Sequence, residues 1–120
     1  VFICMPPGAG LTLGLERGYL RPGLCPGGAG PLIKTVAALP GQQVEVGRSV
    51  TIDGRPLGHS RIRLIDAEGR ALAVHAGGIV PAGQLYLHSD YAGSYDSRYF
   101  GPLPETGLLG LARPVATFDP

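Results

Sequence analysis

Lys34 is the chain's only lysine; its other nine basic residues are arginines. It lies in Pro31-Leu32-Ile33-Lys34-Thr35-Val36-Ala37-Ala38-Leu39-Pro40-Gly41. This apolar, partly β-branched run between prolines reads as one well-buried strand followed by a turn. Period-2 alternation sets Lys34 beside Leu32 and Val36, with Ile33, Thr35 and Ala37 on the opposite face. An ammonium among such neighbours is poorly hydrated, which disfavours its charged form and lowers its pKa. A neutral lysine can take a proton from a hydroxyl, so Lys34 is a candidate general base. The ordinary alternative is a lysine that snorkels to water or guards a strand edge against aggregation.

A second dense stretch runs His88-Ser89-Asp90-Tyr91-Ala92-Gly93-Ser94-Tyr95-Asp96-Ser97-Arg98-Tyr99-Phe100-Gly101-Pro102. Asp96 and Arg98 bracket Ser97 and are spaced to pair and hold the loop in one shape. Ser94 is free to donate a hydrogen bond toward a neutral amine. The competing reading is an Asx-type turn with a surface ion pair, which would stabilise little. His59, His75 and His88 can in principle bind metal or move protons. None pairs with another at ligand spacing, and His59 and His75 fall at hairpin edges, where surface polar roles are expected. No metal or other cofactor is expected.

These residues must be positioned by a small β-rich domain. The chain has 120 residues, 44% of them hydrophobic, with twenty glycines and twelve prolines. The apolar residues fall in short alternating runs, so the glycines and prolines read as turns between strands rather than as disorder. One domain over 1–120 is expected, with a hairpin insertion over about 53–80. A net charge of +1 with scattered arginines provides no field for nucleic acid. No run approaches the roughly 20 apolar residues of a membrane helix. The sequence opens on a strand-like Val1-Phe2-Ile3-Cys4, from which a segment upstream of Val1 is expected. Cys4 and Cys25 flank a Pro/Gly-rich loop without CxxC spacing or a nearby histidine, which does not indicate zinc. A disulfide across that loop is the preferred reading and implies an oxidising compartment; two free buried thiols are the alternative.

Along the chain, residues 1–4 read as a strand and 11–20 as a short helical turn in which Leu11, Leu15 and Tyr19 share a face. Gly14 and Gly18 weaken that helix. Residues 21–30 read as loop. Gln43–Val46 and Ser49–Ile52 alternate cleanly about Gly47-Arg48, as an antiparallel hairpin does, and Asp53-Gly54 is the strongest short hairpin motif. Residues 60–65 and 71–75 read as a second, more exposed hairpin about Ala67-Glu68-Gly69. Gln84–His88 reads as a half-buried strand and residues 107–115 as the last. The fold class is therefore all-β, of antiparallel sheets in a sandwich or partly open barrel, with at most one short helix.

Taken together, the two dense stretches resemble the signal peptidase family of Ser-Lys proteases. Ile33-Lys34-Thr35-Val36 with Leu39-Pro40-Gly41 is similar to that family's lysine box. Ser94-x-Asp96-Ser97-Arg98-Tyr99-Phe100-Gly101 is similar to its late box, and Gly110-Leu111-Ala112-Arg113-Pro114-Val115 to its final strand. Phe2-Ile3-Cys4, Arg17-Gly18-Tyr19 and the second cysteine ahead of the lysine strand resemble the conjugative-transfer (TraF-type) branch. The resemblance implies a signal-peptidase/LexA-like β-domain. In it Lys34 is the general base, Ser94 orients the amine, Asp96 is the required acid and Arg98 is its partner. It departs from the family in having His88-Ser89-Asp90 where the late box opens with Gly-Asp-Asn.

The resemblance further implies a nucleophilic serine ahead of the first strand, beyond a membrane anchor and outside this sequence. Such an enzyme cleaves exported precursors, here a pilin, at the periplasmic face of the inner membrane. The serine needs an adjacent base, which a lysine can be only when uncharged. The substrate is expected as an extended segment added at a strand edge, with small residues before the cut. A self-cleaving LexA-like repressor shares the architecture, but would lack the Asp-Ser-Arg box and carry a self-cleavage site. From another class, a non-catalytic β-domain binding extended segments in a conjugation or secretion assembly is the alternative.

Overall fold

Short apolar runs broken by glycine and proline become ten short strands and two short helices in the computed structural model, which describes residues 1–111. The strands are β1 (Phe2–Ile3), β2 (Leu32–Ile33), β3 (Thr35–Ala38), β4 (Gln43–Val46), β5 (Val50–Ile52), β6 (Arg55–Pro56), β7 (Gly77–Ile79), β8 (Gln84–His88), β9 (Leu103–Pro104) and β10 (Leu108–Gly110). They form three antiparallel sheets in the orders β10-β1-β2, β3-β8-β9 and β6-β5-β4-β7. The domain is thus all-β. Of the last strand expected over 107–115, residues 108–110 are β10, and 112–115 lie outside the described residues.

Two hairpins follow directly from local chemistry. β4 and β5 pair Val46 with Val50 around Gly47-Arg48-Ser49. Asp53 and Gly54 take φ values of 50° and 80° and connect β5 to β6, the two positive values that a two-residue primed turn requires. The Asp53 carboxylate accepts from the Gln43 N–H and the Gln42 amide, which ties the turn back to β4.

The hairpin expected over 60–65 and 71–75 is reduced to one bridge, Ile65 to Ala71, and neither arm is a strand. Leu64 and Ile65 are exposed, whereas Ile62 packs against the second part of the core and Leu72 and Val74 against the first, so the two arms are held by different neighbours rather than by each other. What holds the turn is Asp66, whose carboxylate accepts from the Glu68 and Arg70 N–H groups and from Arg70 Nε at 2.7 Å.

The helix expected over 11–20 starts and ends earlier, as α1 (Ala9–Glu16), because Gly18 turns the chain with φ 75° and takes Tyr19 out of it. Gly14 is on the packing face. A Cβ there would lie 2.5 Å from Leu20 Cδ1, so its weak helix preference is the cost of close approach.

The core has two parts. Ile3, Met5, Leu11, Leu20, Leu85, Leu87, Tyr95, Tyr99 and Leu103 fill one; Ala38, Val44, Val50, Val80 and Tyr86 fill the other. β8 separates them, with Leu85 and Leu87 facing one and Tyr86 the other. It was expected to be half-buried, yet Leu85 through His88 are all buried, since β8 is the middle strand of its sheet and core lies on both faces. Cys4 and Cys25 are joined in a disulfide that closes the Pro/Gly-rich loop onto the end of β1.

Candidate active site

The lysine segment is not one well-buried strand. The chain leaves β2 at Ile33 and enters β3 at Thr35, so Lys34 lies between two sheets, β2 pairing with β1 and β3 with β8. Alternation is kept: Ile33 and Thr35 are exposed, while Leu32, Lys34 and Val36 are half-buried. The reason for the break is a change of partner. Val1 and Lys34 exchange both backbone hydrogen bonds, Lys34 N–H to Val1 O at 3.1 Å and Val1 N to Lys34 O at 2.6 Å. One residue later the ladder passes to His88.

This placement turns the Lys34 side chain inward. Its Nζ donates to Ser94 Oγ at 2.6 Å. Burial strips water from the amine and lowers its pKa from the usual lysine value; the Asp96 carboxylate opposes this and the Arg98 guanidinium reinforces it. The opposing pair is itself locked. Asp96 and Arg98 are almost completely buried, and Arg98 Nε and Nη2 each donate at 2.9 Å to the two Asp96 oxygens. Asp96 also accepts from the N–H groups of Arg98 and Ser89, capping the one-turn helix α2 (Ser97–Phe100), while Arg98 Nη1 donates to Arg61 O. Burial works against the Arg98 charge, but its bonds to Asp96 and the carboxylate's charge keep it protonated. This is a fork-shaped buried pair, not the exposed one weighed against it.

Ser97, inside the same motif, has a structural task of its own. Its Oγ accepts the Leu87 N–H at 2.8 Å, fixing α2 against β8 and hence Ser94 relative to β3. The Ser-x-Asp-Ser-Arg spacing carries that information, since a buried serine inside a capped turn has a backbone group to satisfy.

The histidines take no part in this arrangement. His88 is buried, with Nε2 2.9 Å from His59 O. His75, expected on the surface, is half-buried. Its Nδ1 accepts from Gly77 N–H, and its ring covers Gly101, where an added Cβ would lie 2.5 Å from Cδ2. Gly101 therefore admits no side chain. Among the described residues no three His, Cys, Asp or Glu side chains converge as a metal site would need.

Asp66 is the buried acid that the sequence reading missed. Tyr19 donates to it at 2.6 Å, and with the Arg70 and Glu68 bonds this holds its carboxyl well below the usual carboxylate range. Nothing in Asp-Ala-Glu-Gly distinguishes it from an ordinary turn acid.

Chemically, a half-buried lysine biased toward its neutral form, oriented by a hydroxyl and backed by a closed ion pair, can accept a proton from a hydroxyl presented to it.

Comparison with known proteins agrees with this. The family model described as signal peptidase, peptidase S26, matches residues 1–116. The chain is 60% identical over 120 residues to the conjugal transfer protein TraF of Agrobacterium fabrum (strain C58 / ATCC 33970), covering all of this chain and 68% of that protein. It is 54% identical to the probable conjugal transfer protein TraF of Sinorhizobium fredii (strain NBRC 101917 / NGR234), again over its whole length and 64% of the relative. A plasmid transfer protein TraF of Escherichia coli is 34% identical over 122 residues, covering 98% of this chain and 69% of that one. The chain belongs to the signal peptidase, peptidase S26, family and to its TraF-type members.

Proposed function

We propose that this chain is the catalytic β-domain of a Ser-Lys endopeptidase that removes signal or pro-segments from exported precursors in conjugative pilin maturation. It works at the periplasmic face of the inner membrane, held by an anchor upstream of Val1. The nucleophilic serine comes from the same upstream segment. The observation that carries this reading is the 2.6 Å bond from a half-buried Lys34 amine to Ser94. The Val1–Lys34 backbone pair adds to it, because any residue preceding Val1 starts from a point already bonded to Lys34. The disulfide suits an oxidising compartment.

In this mechanism a neutral Lys34 donates one N–H to Ser94, which fixes the direction of its lone pair. The lone pair takes the serine proton as the hydroxyl attacks the precursor's carbonyl carbon, and the resulting ammonium protonates the leaving amine. Lys34 then activates a water for deacylation. Ser94, Asp96 and Arg98 orient and tune the base.

The test is cleavage of a precursor-derived peptide by the protein extended upstream to include its serine. Lys34→Ala should abolish turnover with folding intact, and residues 1–120 alone should cleave nothing. Full activity in the variant would remove Lys34 from the mechanism; turnover by 1–120 would show that the serine is misplaced.

A further inference from the structure

Ser94 also forms part of the wall of a cleft of about 230 Å³ that neither Asp96 nor Arg98 lines. Its remaining surface is largely aromatic and aliphatic: Tyr19, Tyr91, Tyr95, Tyr99, Leu72 and Ile65. The Tyr19, Tyr95 and Tyr99 rings are fixed, while Tyr91 at the rim is exposed. Tyr95 stacks on Tyr99 at 6.3 Å with planes 8° apart, and Tyr19 lies 4.9 Å from Tyr95. Tyr95 donates to Gly10 O, Tyr19 donates to Asp66, and Tyr99 Oη accepts the Arg63 N–H. Burial pushes the Tyr95 hydroxyl up to about 12, so it stays neutral. Such a preformed surface needs little reorganisation to receive a ligand.

Charge narrows the choice of occupant. Asp66, the one acid lining the cleft, already accepts from Tyr19, Arg70 and two backbone N–H groups, with Arg17 3.8 Å away. It leaves little to attract a cation, and Arg63 beside it repels one. We propose that this cleft is a substrate subsite for an aromatic or large aliphatic side chain of the precursor near the cleaved bond. The proposal rests on the peptidase reading above, because Ser94, bonded to the base, is what joins the cleft to the chemistry. The subsite would select a bulky residue at one position of the precursor, separately from the small residues expected before the cut. Leu72 and Ile65 are its specificity-determining residues.

The test uses the full-length protein with N-acetyl-p-benzoyl-L-phenylalaninamide as a photo-crosslinking probe, followed by mapping of the adducts. Adducts are expected on cleft residues, competed by N-acetyl-L-phenylalaninamide and not by N-acetyl-L-alaninamide at equal concentration. Leu72→Trp, which fills the cleft, and Ile65→Glu, at an exposed position where folding tolerates a charge, should each reduce labelling by about ten-fold or more. Adducts scattered elsewhere, or labelling unchanged in both variants, would overturn the subsite. Lys34→Ala separates the two readings: labelling should persist while cleavage is lost. A parent protein labelled in the cleft that cleaves no precursor peptide would overturn the peptidase reading and leave the cleft as a binding site.

Discussion

The Lys34 amine lies 2.6 Å from the Ser94 hydroxyl oxygen although sixty residues separate them in the chain. Neither side chain determines this alone. Lys34 is aimed by its backbone pairing with Val1, and Ser94 by the capped turn that Asp96, Ser97 and Arg98 build against β8.

Ser94→Ala removes the group that directs the Lys34 lone pair while leaving the lysine in place. In the active, upstream-extended protein kcat should fall about 100-fold with KM little changed, the size expected when a reacting group is misplaced. Steady-state kinetics on a precursor peptide measures the split. A KM effect alone would mark Ser94 as a binding residue.

Burial lowers the Lys34 pKa, which fixes the sign of two pH effects. Cleavage should rise with pH through the lowered Lys34 pKa, giving an ascending limb centred below the ordinary lysine value of 10.5. Stability moves the same way. Between the lowered value and 10.5 the unfolded chain binds the extra proton, so unfolding becomes less favourable as pH rises through that window. Lys34→Met should therefore stabilise the domain at pH 7, with the advantage shrinking toward pH 10.5. Thermal denaturation across that range checks it.

Arg98→Met leaves the Asp96 carboxylate buried without its counter-ion. Loss of one partner from such a pair costs about 3–5 kcal/mol, read as a lower urea midpoint. It also removes one of the two influences that lower the Lys34 pKa, so any folded fraction should show a raised Lys34 pKa. Asp96→Asn combined with Arg98→Met should recover much of the lost stability, because neither charge then remains buried.

Gly14→Ala separates local preference from packing. Alanine favours a helix by about 1 kcal/mol over glycine, yet its methyl would meet Leu20. The variant should be less stable by about 1–3 kcal/mol, the range for overpacking. Thr12→Ala, on the exposed side of α1, should be close to neutral in the same urea titration.

Much of this architecture is legible in the sequence because it is local. Asp53-Gly54 encodes its turn, and the alternation of residues 43–52 encodes its hairpin. The site is legible because Lys34 and the Ser-x-Asp-Ser-Arg spacing carry side chains with few other uses in so apolar a setting. The remainder depends on partners distant in sequence. Alternation in residues 60–65 looks like that in 43–46, but in the former Ile62 alone packs on the second part of the core while Leu64 and Ile65 stay exposed. The interruption at Lys34 is invisible because both flanks are good strand residues, and the change of partner is set by Val1 and His88. Asp66 becomes a buried anchor only through Tyr19, a contact spanning 47 residues.

Lys34 crosses from one sheet to another, and this makes the site a gauge of how the two slabs sit. The backbone that aims the base belongs to the β1–β2 slab, whereas Ser94 rides on the turn that follows β8. A slide of about 1 Å between them would carry a 2.6 Å contact out of hydrogen-bonding range and leave the lone pair without a direction. In the mechanism proposed above, proton transfer at Lys34 would thereby be conditional on register between the slabs.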